Sequence, residues 1–326
     1  MFAFGALAGA EVPAQTAPAG TPQQIEVSGF RGEQAAGVKI LRPLQDTPRI
    51  ITVLPDALLR EQGVTSLTDA LRNLPGISLQ AGEGNPPGGD QLKIRGFNAR
   101  DDISVNGARD LGNYFRDPFY VDQLEVVKGP NSAFSGRGSA GGTVNFVTKT
   151  PKLTDFARAE FSLGGADMMR TTVDVNRRLG DDAALRVNGL LHSSGVPGRD
   201  IVEEERQGLY AAFTWGFQGR TRFTADLLHL HQDDIPDAGL PFDRDPTGAH
   251  ARGTGALPPG LRFANYYGHV DDTKRVDVTL SGLTVEHAFA AGPVLRNQLR
   301  LSRVHNDSIT SSPRIRDIPV ASPGFE

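Results

Sequence analysis

Cysteine is absent from all 326 positions. Thiolate metal sites and catalytic thiols are therefore excluded, and the absence suits an oxidising compartment where stray thiols would pair wrongly. Long apolar runs are missing too: no stretch approaches the roughly 18 residues that a membrane helix requires. A helical membrane protein is excluded, but a transmembrane β-barrel is not, because its signal is only a weak alternation. The net charge is small, −4. A nucleic-acid binder would ordinarily be basic, so no nucleic-acid partner is expected. The length allows two domains.

The start of the chain, Phe2-Ala3-Phe4-Gly5-Ala6-Leu7-Ala8-Gly9-Ala10, reads as the end of a signal-peptide apolar region, with Ala8-Gly9-Ala10 as a small-x-small cleavage pattern. The positive region that should precede it is missing, so residues 1–10 are expected to be a signal-peptide remnant; a disordered Ala-rich arm is the plainer alternative. Residues 11–35 form a flexible segment, rich at first in Pro, Ala, Gln and Thr. Within it Ile25, Glu26, Val27 and Ser28 alternate, the pattern of a segment that adds as a strand to another protein's sheet edge. An ordinary first strand would look the same.

Residues 36–151 predict a small mixed α+β domain. Ile50-Ile51-Thr52-Val53 is strand material, and a short helix runs from Pro55 to about Gln62, stopped by Gly63. Ser66-Leu67-Thr68-Asp69 is a capping box, followed by an apolar helical face at Leu67, Ala70, Leu71 and Leu74. Residues 82–89 are a loop. Leu92–Arg95 and Asp102–Val105 are strands joined by Gly96–Arg100, Asn106-Gly107 is a turn, and Tyr120–Val127 is a further strand.

That strand runs into Leu124-Glu125-Val126-Val127-Lys128-Gly129-Pro130, and Ser135-Gly136-Arg137-Gly138-Ser139-Ala140-Gly141-Gly142-Thr143-Val144-Asn145-Phe146-Val147-Thr148-Lys149 follows. Two apolar strands thus flank a glycine-rich turn carrying cations. With the upstream triplet Arg95-Gly96-Phe97, this segment resembles the plug domain of TonB-dependent outer-membrane receptors. The resemblance implies a Gram-negative outer-membrane protein that imports ferric siderophores or similar cargo, with outer-membrane lipid around it. It also implies that Ile25–Ser28 is the box recruiting TonB and its inner-membrane energising complex. No cofactor is implied, iron being carried as ferric siderophore cargo, and neither catalytic nor metal-ligating residues are expected.

The segment Arg109–Pro118 mixes cations with aromatics, as an anionic, ring-bearing cargo requires, because guanidinium groups both neutralise charge and stack on rings. It looks most like receptors for catechol-type siderophores. Arg100, Arg109, Asn113, Tyr114, Phe115 and Arg116 are the candidate siderophore-binding residues; internal Arg–Asp pairing is the plainer reading of the same loop. Arg95, Glu125, Lys128 and Arg137 are candidates for plug–barrel contacts, since enclosed charges must be paired.

Other motifs carry less. Gly136–Gly141 satisfies G-x-G-x-x-G, but strand material follows it and no acidic residue stands about twenty positions on, so a nucleotide site is rejected. His229 and His231 share a strand face yet lack a definite third metal ligand; they read as a loop-edge polar pair. Glu203-Glu204-Glu205 reads as a solvated loop flank.

From residue 153 to 326 the pattern becomes long alternating strands. Thr171, Val173 and Val175 alternate with Thr172, Asp174 and Asn176; Leu209, Ala211, Phe213 and Trp215 alternate with Tyr210, Ala212 and Thr214; Phe223, Ala225 and Leu227 alternate with Arg222, Thr224 and Asp226. The polar faces carry Arg158, Glu160, Asp174, Arg186, Asp226 and Arg300. Short turns at 180–182, 218–219 and 290–293 alternate with long connections at about 194–207 and 232–272, as in outer-membrane barrels. The apolar phase slips near Gly282, where a bulge is expected.

The strand pattern together with the resemblance implies an α+β plug domain followed by an incomplete antiparallel transmembrane β-barrel, about seven strands of the 22 or so that members of the resembled family close. An open barrel edge is not tolerated in lipid, so the chain reads as an N-terminal fragment, inactive on its own, of a receptor for TonB-dependent import of a ferric siderophore. Two alternatives stand beside this: a soluble periplasmic β-sandwich binding module, and a signalling receptor of the same family, which would need an extra domain ahead of residue 25.

Overall fold

The computed structural model describes residues 44–79, 89–132, 140–240 and 260–311. Ile25–Ser28 and Arg137 lie outside them. The first unit opens with a 3₁₀ turn (Leu44–Asp46), then strand β1 (Ile50–Pro55) and two short helices, α1 (Asp56–Glu61) and α2 (Leu67–Leu71). Ser66 caps α2 as its sequence predicts, its Oγ accepting from the Asp69 N–H at 3.1 Å.

Six further short elements follow: β2 (Ile77–Leu79), β3 (Leu92–Ile94), β4 (Phe97–Asn98), β5 (Ile103–Val105), β6 (Ala108–Arg109) and a second 3₁₀ turn at Pro118–Tyr120. The strands β7 (Val121–Lys128) and β8 (Gly142–Thr148) complete the unit. One sheet has the order β1-β7-β8-β5-β6 and a second, β2-β3-β4. The strand β8 follows the G-x-G-x-x-G stretch directly.

Local chemistry corrects one expectation here. The segment after Ile94 is not a loop between two strands of one sheet but a tight hairpin, Ile94 facing Phe97. Arg95 and Gly96 form its two-residue turn with φ of 52° and 84°, the conformation that hairpin turns demand. Asn106 and Gly107 (φ 50° and 79°) make the same turn between β5 and β6, as expected.

The second unit is one antiparallel sheet of seven strands in sequence order: β9 (Phe156–Leu163), β10 (Met169–Arg178), β11 (Ala183–Gly195), β12 (Glu203–Trp215), β13 (Thr221–Asp234), β14 (Thr273–Ala288) and β15 (Val294–Ile309). Short turns and the longer connections 196–202 and 235–272 alternate as predicted. Glu203–Glu205 lies inside β12 and not on a loop flank, because Glu204 and Glu205 are in register with Asp234 and Asp233. Near Gly282 the ladder is unbroken. The change of apolar phase is real but is not a bulge: Val276, Val278 and Leu280 turn inward and are buried, whereas Leu283 faces outward.

The outward face is apolar and uncovered: Phe161, Leu163, Val173, Leu191, Leu209, Phe213, Trp215, Leu227, Leu283, Leu299 and Leu301 are all exposed. A soluble sandwich would bury such a face under a second sheet; lipid is the alternative solvent. The upper border of this apolar band descends from Leu163 on β9 to Leu283 on β14, although in register Leu163 is level with Glu205, Asp233 and Arg275. A border oblique to the hydrogen-bonded rows is what strands tilted by about 45° present to a flat bilayer.

Candidate functional site

The inner face of the sheet meets the first unit, and one row of the ladder holds the loop that follows β6. Arg170, His192, Arg206, Gln232, Val276 and Asn306 are successive register partners from β10 to β15. The loop Asn113–Asp117 lies along this row. Asn306 Nδ2 donates to Asn113 O at 3.2 Å and Gln232 Nε2 to Phe115 O at 2.7 Å. From the neighbouring position on β14, Lys274 Nζ sits 3.9 Å from the Phe115 ring centroid. Arg170 grips both oxygens of Asp117 at 2.7 and 2.8 Å, and Arg206 reaches the same carboxylate at 3.1 Å and Thr65 O at 2.9 Å.

Asp117 is fully buried. It also caps the turn that follows, accepting from the Phe119 N–H at 3.0 Å. Burial opposes its ionisation, but Arg170 and Arg206 outweigh burial and hold its pKa below the ordinary carboxylate value.

The same loop is braced from behind. Arg116, 1% exposed, bonds Asp90 at 3.0 Å and Asp110 at 3.0 Å, donates to Gly112 O at 2.9 Å and lies 4.3 Å over the Tyr114 ring. Tyr114 Oη donates to Asp110 at 2.7 Å. Burial works against the guanidinium charge, yet Tyr114, Asp110 and Asp90 raise its pKa above the usual value.

A second ionic cluster pins the base of the first unit. Lys149 Nζ donates to Phe119 O at 2.8 Å and lies 3.2 Å from Asp174, which Arg186 holds at 2.7 and 2.8 Å. Arg186 also donates to Thr150 O at 3.1 Å, and Arg60 pairs with Glu160 at 3.1 Å.

Between these clusters the two units share one apolar core. Tyr114, Phe119, Tyr120 and Phe146 belong to it together with Leu190, Tyr210, Leu228, Val278 and Leu280. Gly208 is a socket: a Cβ there would lie 2.6 Å from the Phe119 ring.

The candidate residues thus divide. Tyr114 and Arg116 are interior, which corrects the reading of both as cargo-facing; two buried acids and the loop backbone need that guanidinium more than a surface does. Asn113 and Phe115 lie against the wall. Arg109 and Arg100 are exposed, with Arg109 bonded to Asp102 at 2.7 Å and Arg100 3.6 Å from Asp101.

Of the residues expected at plug–barrel contacts, Glu125 and Lys128 have partners within the first unit. β7 lies between β1 and β8, so Glu125 faces its cross-strand partner Asn145 and accepts from it at 3.0 Å. Lys128 donates to Pro75 O at 2.8 Å, and Arg95 is an exposed turn residue. Of the pairs that do cross the boundary, Asp117 with Arg170 and Arg206 was legible on neither side, and the others on the wall side only. Arg158, Glu160, Asp174 and Arg186 stand out as charges on an inward strand face; Asp117 and Lys149 look in sequence like ordinary loop residues.

His229 and His231 lie on the outward face of β13, near Thr279 at 3.3 Å and Asp277 at 2.8 Å. Among the described residues no cluster of three or more His, Cys, Asp or Glu gathers at metal-binding distance.

A compact α+β unit docked by its flank into a tilted, lipid-facing β-wall defines the class: a plugged outer-membrane barrel. The family model described as TonB-dependent Receptor Plug Domain matches residues 43–143. The probable TonB-dependent receptor BfrD of Bordetella pertussis is 40% identical over 301 residues, spanning 91% of this chain and 39% of that protein. The catecholate siderophore receptor Fiu of Escherichia coli K12 is 35% identical over 288 residues, spanning 87% of this chain and 38% of that one. The crystal structure of the siderophore receptor PiuA from Acinetobacter baumannii superposes with a TM-score of 0.80 at 33% identity, covering 86% of this chain and 40% of that one.

The chain belongs to the TonB-dependent receptors, proteins of the Gram-negative outer membrane. It spans about two fifths of the length of these relatives. No helix among the described residues is long and apolar enough to cross a membrane; the crossing elements are strands.

Proposed function

We propose that the receptor carrying this chain imports a ferric siderophore of catecholate type across the outer membrane, drawing on TonB. The observation that carries the reading is the docking of the Asn113–Asp117 loop on one wall row by side-chain contacts. Such a seat closes a pore, and it can be shifted without breaking a covalent bond or a strand pairing. Fiu is named for catecholate siderophores, and PiuA is named as a siderophore receptor.

Arg100 and Arg109 are the exposed cations suited to an anionic, ring-bearing cargo. Asn113, Phe115, Tyr114 and Arg116 fix the neighbouring loop against the wall. Ile25, Glu26, Val27 and Ser28 recruit TonB by strand addition, which uses main-chain hydrogen bonds, and TonB's inner-membrane complex supplies the energy. The protein performs no chemistry on the cargo, and iron enters as cargo and not as a cofactor.

The test is growth of the source organism on a ferric catechol as sole iron source. Deletion of the gene abolishes growth there and spares growth on inorganic iron. Undiminished growth of the deletion strain on several ferric catechols would overturn the cargo assignment. Val27→Pro removes uptake while leaving cargo binding to whole cells intact, because proline withdraws a main-chain donor.

A further inference from the structure

The loop Asn113–Asp117 and the wall it lies against are complementary in one direction. Every described hydrogen bond between them runs from wall to plug: Asn306 Nδ2 to Asn113 O, Gln232 Nε2 to Phe115 O, and Arg170 and Arg206 to the Asp117 carboxylate. Lys274 Nζ stands 3.9 Å from the Phe115 ring centroid. The wall thus offers donors and cations, and the loop answers with carbonyl oxygens, a ring and a carboxylate. Arg170, His192 and Arg206 stand on β10, β11 and β12, each strand with a described neighbour on either side. Both oxygens of Asp117 are taken: Oδ1 accepts from Arg170 and the Phe119 N–H, Oδ2 from Arg170 and Arg206. His192, between the two arginines, is buried, and neither of its ring nitrogens has a partner among the described residues. The row therefore has polar capacity that the loop does not fill.

We propose that Arg170, His192 and Arg206, with Lys274 beside them, form a second binding station for an anionic, ring-bearing cargo, and that the loop fills this station in the seated plug as an internal stand-in, Asp117 for the cargo's anionic oxygens and Phe115 for its ring. This rests on the import reading above. Withdrawing Asp117 strands guanidinium charge in a buried place, which is costly. Glu204 stays with Arg206 at 3.0 Å and Asp234 with Lys274 at 3.5 Å, so Arg170 is the cation of this group left without a carboxylate among the described residues. An incoming anion removes that cost, because paired catecholate oxygens accept a guanidinium fork as a carboxylate does. The cargo's ring takes the place by the Lys274 ammonium that the Phe115 ring leaves. Cargo and loop therefore exchange on one row, and the loop parts from the wall more readily when an anion replaces it.

Two measurements on the full receptor test this. Asp117→Ala opens a carboxylate-sized gap before Arg170 and Arg206. In the purified receptor, formate is expected to raise the melting temperature of Asp117→Ala by several degrees. Chloride at the same ionic strength should not, and the response should vanish in Asp117→Ala with Arg170→Gln. No rise with formate would overturn the anion site. The second measurement is uptake of the iron(III)–tris-catechol complex by intact cells, and it does not depend on Asp117→Ala folding. Asp117→Asn with Arg170→Gln removes one charge of each sign and leaves Arg206 with Glu204, so the plug stays seated; protease protection of the 110–117 loop checks this. Maximal uptake is expected to fall about tenfold with KM little changed, because the cargo meets the row after its first binding. An arginine that only pins the plug predicts uptake as fast as wild type or faster, and that result would also overturn the proposal. If the wild type takes up no ferric catechol, the cargo assignment falls, and the formate response still decides whether the row is an anion site.

Discussion

The carboxylate of Asp117 and the two terminal nitrogens of the Arg170 guanidinium meet end-on across the boundary between plug and wall, in two hydrogen bonds of 2.7 and 2.8 Å. Asp117 caps the 3₁₀ turn that leads into β7, the strand that carries the family signature, and Arg170 is the second residue of β10. The pair therefore ties the most characteristic plug segment to the barrel through one buried contact, reinforced by Arg206 at 3.1 Å.

Removing the charge from Asp117 leaves two arginines facing a neutral amide. Asp117→Asn is expected to destabilise the seated plug by about 3–5 kcal/mol, the usual cost of breaking a buried pair from one side. A double-mutant cycle with Arg170→Gln should return a coupling of about 1–3 kcal/mol. Chemical unfolding of the purified receptor measures both; additive effects would show that the contact is not energetically coupled.

The same pair carries a pH dependence. The folded-state pKa of Asp117 is depressed, so its contribution is fully present above the unfolded value of about 3.9 and is lost as pH falls through the lower folded value. Melting temperature should show no pH dependence from this group between pH 8 and 5 and a decline below about pH 4. The difference between wild type and Asp117→Asn should shrink over that acid range. A difference unchanged down to pH 2 would exclude this linkage.

Arg116 is expected to be a structural brace. Arg116→Met strands Asp90 and Asp110 without a cation and should cost about 3–5 kcal/mol, with proteases cutting the 110–117 loop faster. Arg116→Lys should recover only part of this, because an ammonium cannot reproduce the forked contacts. Protease protection equal to wild type in both variants would remove the brace.

Gly208 tests the fit between wall and plug. Its Cβ position lies 2.6–2.7 Å from the Phe119 ring. Gly208→Ala should therefore cost about 1–3 kcal/mol by overpacking. Adding Phe119→Leu should restore part of the loss, whereas Phe119→Leu alone should destabilise. Unfolding midpoints of the three variants decide it.

Much of this was readable beforehand where the signal is local. The Ser66 cap, the Asn106-Gly107 turn and the alternation of the wall strands each depend on neighbours within a few residues, and each is where the sequence places it. The hairpin turn at Arg95-Gly96 was missed because arginine seldom occupies the left-handed region, although glycine beside it was a clue. Tyr114 and Arg116 were misassigned for a different reason. An arginine among aromatics has the same composition whether it faces a cargo or two buried aspartates, and Asp90 is too distant in sequence to reveal which.

The sequence by itself determined the architecture: a signature-bearing plug, then strands with one apolar and one polar face. Those properties follow from two-residue periodicity and turn chemistry, which any segment carries within itself. Only the tertiary structure decided which charges meet. Asp117 and Arg170 stand 53 positions apart, and nothing in either neighbourhood encodes the other; their pairing exists because the ladder register of β10–β12 brings Arg170, His192 and Arg206 into one row facing the plug. The same register turns Val276 and Val278 toward the plug and the histidines of β13 outward, since a strand's two faces are chemically defined only by what packs against them.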